Sequence, residues 1–133
     1  MKKILAISCL VLMVFSACKR ETKDEHFRKE FEQFTLKECP KFLDECTRQD
    51  SAVYDIETRT LSYCYTVQGA LDNDSIYTDE IVSEHRKNIL RGLKNSLQLK
   101  PYKDENIIFR YLYRSITTGE TRLELIFTPE EYN

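Results

Sequence analysis

Phe27, Phe31 and Phe34 fall at i, i+4 and i+7, with His26, Arg28, Lys29, Glu30, Glu32 and Gln33 between them. That spacing puts one aromatic stripe on an otherwise polar helix, and Pro40 bars its continuation. Residues 51–56 and 60–67 are rich in β-branched and aromatic side chains, joined through Glu57, Thr58 and Arg59 in a hairpin pattern. Leu61, Tyr63, Tyr65 and Val67 alternate with Ser62, Cys64 and Thr66, so one face of this strand is apolar and the other small and polar, as in a sheet wet on one side. A turn-rich loop follows over 69–75. Thr78 is placed as an N-cap with Asp79 and Glu80 in the first turn, and Tyr77 can staple against Val82. Ile81, Val82, His85, Ile89, Leu93 and Leu97 then recur at helical spacing until Pro101. Gly92 costs this helix up to ~1 kcal/mol relative to Ala, which suggests a close approach to another element. Residues 107–116 and 121–128 read as two more strands about a Gly119 turn. The order helix, hairpin, helix, hairpin predicts an α+β two-layer sandwich, a four-stranded, mainly antiparallel sheet with two helices on one face.

Ahead of this domain the pattern changes. Lys2 and Lys3 precede an uncharged apolar run over 4–15 that ends at Ser16-Ala17-Cys18 and the charged Lys19-Arg20-Glu21. A basic start, a short apolar run and a small-residue exit form a secretory signal, and the run falls short of the roughly 20 apolar residues of a spanning helix. Phe15-Ser16-Ala17-Cys18 resembles the lipobox of bacterial lipoprotein precursors, with Phe15 in place of the usual Leu. The resemblance implies a signal peptide over 1–17, an acylated Cys18 and a tether over 18–25, leaving a single domain over 26–133. Cleavage after Ala17 without acylation, or an uncleaved N-terminal anchor, are the alternatives. Two or more acyl chains make a membrane attachment stable. Lys19, rather than the Asp that marks inner-membrane retention in enterobacterial lipoproteins, follows the cysteine, so the outer membrane is the expected destination, with the facing leaflet open.

Charge and cysteines narrow the function. The formal charge is -2, and the acidic excess grows once Lys2 and Lys3 leave, which argues against a nucleic-acid partner. Of the five cysteines, Cys9 leaves with the signal and Cys18 is acylated, so Cys39, Cys46 and Cys64 remain. In an oxidising compartment three thiols mean one pair and one free thiol, or an intermolecular bridge. Cys39 with Cys46 closes the shortest loop and is the expected disulfide, with the other pairings open. His26 and His85 are the only histidines, too few at too wide a spacing for a zinc site, and no cofactor is expected.

Cys39-Pro40, the run Leu61-Ser62-Tyr63-Cys64-Tyr65-Thr66-Val67, the later Phe109-Arg110-Tyr111-Leu112-Tyr113, Gly119 and the closing Phe127-Thr128-Pro129 together resemble a group of small secreted proteins and lipoproteins of Gram-negative bacteria. The resemblance spans residues 37–132 and implies an envelope location. The group has no established activity, so it assigns no catalytic residue. Pro129-Glu130-Glu131-Tyr132 fits its pattern as a strand terminator.

No motif for catalysis stands out. A Cys64–His85 pair would need both on one face, yet alternation puts Cys64 opposite the aromatic face that the His85 stripe covers. Arg86, Lys87, Arg91 and Lys94 make a basic helix face that could meet anionic headgroups or simply be solvated. The opposite sheet face is expected to carry Arg110, Leu112, Arg114, Arg122, Glu124 and Ile126, a mixed apolar and arginine-rich surface of the kind found in interfaces, unless Arg110 or Arg114 is neutralised by Glu124 across the strands. The sequence thus points to a non-catalytic, membrane-anchored module for an envelope protein partner, an inhibitor or immunity-like factor among its forms. The alternative is a small-ligand or lipid carrier, which requires an apolar cavity between helix and sheet.

Overall fold

The computed structural model describes residues 20–133, so the leader and Cys18 lie outside the described residues. In chain order the elements are α1 (Lys23–Glu38), β1 (Lys41–Phe42), β2 (Thr47–Asp55), β3 (Thr60–Val67), two 3-10 turns (Gly69–Leu71 and Asp74–Ile76), α2 (Asp79–Asn95), α3 (Lys100–Asp104), β4 (Ile108–Ser115), β5 (Thr121–Phe127) and α4 (Pro129–Tyr132).

Helix α1 starts earlier than its aromatic stripe. The Thr22 hydroxyl accepts from the Glu25 amide, and the Glu25 carboxylate accepts from the Thr22 amide, both at 3.2 Å. This capping box satisfies two orphan donors and turns the last residues of the expected 18–25 tether into helix. Phe27 and Phe31 are buried and pack edge-on or tilted against Tyr102 at 4.8 and 5.0 Å between ring centroids. Helix α2 begins as its cap predicts, Thr78 accepting from the Ile81 amide at 3.3 Å.

The α+β class holds, but the sheet has five strands in the order β1-β2-β3-β4-β5 and is mixed. Two features correct the four-stranded, mainly antiparallel expectation. The two-residue β1 pairs Lys41 with Gln49 and Phe42 with Arg48, too short a strand to show alternation. More consequentially, β3 and β4 run parallel. The chain between them crosses back over the sheet through α2, as a parallel pair requires, instead of returning as a hairpin. Leu61, Tyr63 and Tyr65 thereby stand beside Phe109, Tyr111 and Tyr113. The outer pairs are antiparallel.

One core joins the four helices to a single sheet face, with Phe31 from α1, Leu93 from α2, Tyr102 from α3 and Tyr132 from α4 around Phe109 and Phe127. The Tyr132 hydroxyl donates to the Ile107 carbonyl at 2.6 Å. Residues 129–132 are therefore a short core helix, with a second capping box at Thr128 and Glu131, rather than only the end of a strand. Beyond β1, the Thr35 hydroxyl donates to the Ala52 carbonyl at 2.9 Å and accepts from its amide at 3.0 Å. Helix α1 thus occupies edge groups of β2 that would otherwise invite another strand.

One further expectation is corrected. A Cβ on Gly92 would meet nothing within 4 Å, so no close packing explains that glycine. Cys39, Cys46 and Cys64 are free thiols.

Candidate functional site

Helix α2 is buried most deeply near its C-terminal end. Leu93 is buried and Val82, Ile89 and Leu90 pack partly buried on the core, whereas Ile81 is 52 % exposed and His85 is half-buried. Beside the first two turns of the helix lies a half-open apolar groove of about 410 Å³. Its floor is Tyr65 and Val67 of β3, Tyr113 of β4 and Leu123 of β5. One wall is Ile81, Val82 and His85, a second is Leu71, Ile76 and Tyr77 from the 3-10 turns, and Leu43 and Asp44 of the β1–β2 turn close the far side.

The floor follows from the parallel register. Tyr65 and Tyr113 are direct neighbours, stacked at 4.8 Å with planes 16° apart, and the His85 ring stands edge-on to Tyr113 at 5.7 Å. Burial pushes both phenols well above the usual tyrosine range, each helped by neighbouring phenols, so the floor stays neutral. Nε2 of His85 lies 3.3 Å from the Tyr113 hydroxyl, either group donating according to the imidazole tautomer.

An ion-pair cluster fixes the loop wall. Arg122 bonds Asp72 at 2.9 Å and Asp74 at 2.6 Å, with the Arg122 and Asp72 side chains only 10 % and 5 % exposed. Thr117 donates its hydroxyl to Asp72 at 2.7 Å. Hydrogen bonds from Ser115 and Thr117, and the Arg122 guanidinium beside it, hold the Asp72 carboxyl down at about 2. The Tyr77 hydroxyl donates to the Leu71 carbonyl at 2.7 Å and ties the two turns together.

The expected sheet-face site is rearranged. Tyr113 pairs with Leu123 but Arg114 pairs with Thr121, so a bulge leaves Arg122 without an opposite number. A bulge re-aims a side chain, and Arg122 turns to the groove's loop wall instead of joining Arg110 and Arg114. Leu112 is only 2 % exposed, since Cys64 and Glu124 flank it across the strands and two arginines flank it along β4. Arg110 bonds Glu124 at 2.7 Å, which leaves Arg114 and the 43 % exposed Ile126 as the open members of the expected set. Cys64 sits on this face, away from His85, and no group of three or more His, Cys, Asp or Glu side chains among the described residues is placed to hold a metal. The groove is suited to holding apolar groups. Its sequence signal was Leu71, Ile76 and Tyr77, three large apolar residues in an otherwise polar loop.

Burial lowers the His85 pKa from its ordinary 6.5, so the unfolded chain takes up a proton at higher pH than the folded one. The stability tied to neutral His85 is complete above about pH 6.5 and is lost as pH falls from there toward the folded value. Thermal melts followed by circular dichroism between about pH 7 and 5 should show a steeper loss for the native chain than for His85→Gln. Parallel curves would show that the histidine is not desolvated.

The family described as a domain of unknown function, DUF8479, matches residues 22–123. No curated protein matches the chain. Among solved structures, a Pseudomonas aeruginosa protein described as secreted shares the fold with a TM-score of 0.65 at 11 % identity, covering 83 % of this chain and 96 % of that one. A pilotin from the Vibrio vulnificus type II secretion system follows with 0.60 at 9 % identity, covering 85 % and 94 %. The Vibrio cholerae type II secretion pilotin gives 0.53 at 13 % identity, covering 78 % and 86 %. Likeness at these identities is likeness of fold.

Proposed function

We propose that this chain, which belongs to the DUF8479 family, is a membrane-anchored envelope lipoprotein whose groove holds an apolar segment of a protein partner without catalysis. The observation that carries this is the groove itself: a neutral, tyrosine-floored, half-open cleft between the first turns of α2, the 3-10 turns and the sheet. Exposed Leu43 and Ile81, at 52 % each, add apolar surface to its lining, and aromatic residues such as its floor tyrosines anchor interfaces. Two proteins that share the fold are pilotins of type II secretion systems, which supports reading this chain as an accessory to an envelope assembly. The anchor is acylated Cys18, and the outer membrane its place.

The same cleft supports a second reading, since about 410 Å³ lies within the roughly 300–1,000 Å³ of small-molecule sites, so a small-ligand or lipid carrier keeps its ground. A photo-crosslinking amino acid placed in living cells at position 81, beside the groove, or at position 126, on the open sheet face, separates the readings. The expected result is an adduct to an envelope protein from 81 and none from 126. The reverse pattern moves the site to the face of Arg110, Arg114 and Ile126. Adducts from neither, with a small molecule retained in native mass spectrometry, make the protein a carrier.

A further inference from the structure

The parallel central strands give the domain two distinct ends. Strands β3 and β4 run together from Thr60 and Ile108 at one end to Val67 and Ser115 at the other, about 23 Å apart at roughly 3.3 Å per residue. The groove, with Val67 in its floor and the 3-10 turns in its wall, lies at the second end. The start of α1 lies at the first. Lys23 pairs with Glu105, and Asp24 accepts from the Tyr54 hydroxyl at 2.6 Å and pairs with Arg59 at 3.3 Å. The end of α2 and all of α3 are tied to that same end, as Lys103 donates to the Leu93 and Lys94 carbonyls at 2.9 Å each.

The leader joins the domain here, and Cys18 stands four residues before the Thr22 cap, a reach of at most about 14 Å. Acylation of Cys18 and an uncleaved apolar run both bring the bilayer within a short reach of this end. Between α2 and α3, Leu97 is 83 % exposed, the highest value among the described large hydrophobic residues. A single exposed leucine is ordinary. This one, however, sits between Lys94, which makes no ion pair among the described residues, and Lys100, whose only one is the exposed pair with Asp104 at 2.7 Å. At the same end Asp24 and Glu105 are engaged by Lys23 and Arg59, while Asp55 and Glu57 lie at the β2–β3 turn.

We infer that the α2–α3 corner is a membrane contact, with Leu97 entering the headgroup layer and Lys94 and Lys100 meeting anionic lipid phosphates, so that the groove is presented away from the bilayer. The inference rests on the anchored reading above and adds an orientation to it. A leucine flanked by lysines suits an interface where apolar and anionic groups lie side by side, and a groove on the far end is open to a protein partner from the aqueous side.

The test uses the full lipidated chain in vesicles of phosphatidylethanolamine and phosphatidylglycerol, with an environment-sensitive fluorescent amino acid at position 97 or 81 and a nitroxide quencher on the lipid headgroups. Quenching at 97 should exceed that at 81 several-fold. It should fall several-fold in the Lys94→Glu, Lys100→Glu double variant and in vesicles of phosphatidylcholine alone, with the anchor still inserted. Equal quenching at the two positions overturns the inference, as does quenching at 97 that ignores both the double substitution and the loss of phosphatidylglycerol. A full chain that does not associate with vesicles overturns the anchored reading as well. The crosslink from position 81 is a separate readout, so failure of the groove reading is distinguishable from failure of the orientation.

Discussion

Ile81→Glu is expected to release the partner that crosslinks to the groove, with at least about a tenfold loss of affinity, equivalent to roughly 1.4 kcal/mol, while leaving the fold standing. Ile81 is 52 % exposed at the edge of the groove, so a carboxylate there stays hydrated in the free protein. Docking an apolar segment against it strips that water, and a desolvated, unpaired charge is far more costly than a lost methylene. The tyrosines opposite are neutral and offer it no cation. Ile126→Glu on the other sheet face is the control and should leave affinity unchanged. Titration calorimetry with the crosslinked partner, together with thermal melts of both variants, checks the prediction. An unaltered affinity in Ile81→Glu would remove the groove from the interface.

Phe127→Ala is expected to cost about 3–5 kcal/mol, the range for truncating a buried aromatic, measured by urea denaturation. Phe127 is fully buried, stands edge-on to Tyr111 at 5.8 Å, and carries the Arg86 guanidinium 4.4 Å above its ring. It also pairs with Phe109 across β4 and β5. Arg86 in turn donates to the Ile126 carbonyl at 3.0 Å and pairs with Glu131, so the ring supports the contact between α2, β5 and α4. A loss of this size is a large share of the about 5–15 kcal/mol that stabilises a domain. A loss under about 1 kcal/mol would mean that the neighbouring side chains refill the space.

Which side chains face the core was legible wherever a local period carried it. The Phe27 and Phe31 stripe and the Thr78 cap were read directly, as was the alternation from Leu61 to Val67, and all three are found as expected. The strand start at Thr47 was not, because Thr47 and Gln49 are polar yet only 6 % and 8 % exposed, and binary patterning gives such positions to the surface. Arg122 was misplaced for a related reason. Alternation counts residues, and the bulge at Arg122, between the pairs Tyr113–Leu123 and Arg114–Thr121, shifts the count by one, which in a strand moves a side chain to the other face.

By itself the sequence determined the α+β class, the aromatic faces and the start of α2, since these depend on neighbours three or four residues away along a helix, or two along a strand. Only the tertiary structure decided that β3 and β4 run parallel, that Tyr65 stacks on Tyr113, and that α2 closes on the core at Leu93 while standing open at Ile81. Periodicity specifies the face that a segment presents and says nothing of the direction in which a 40-residue crossover returns it. The groove exists because of that return.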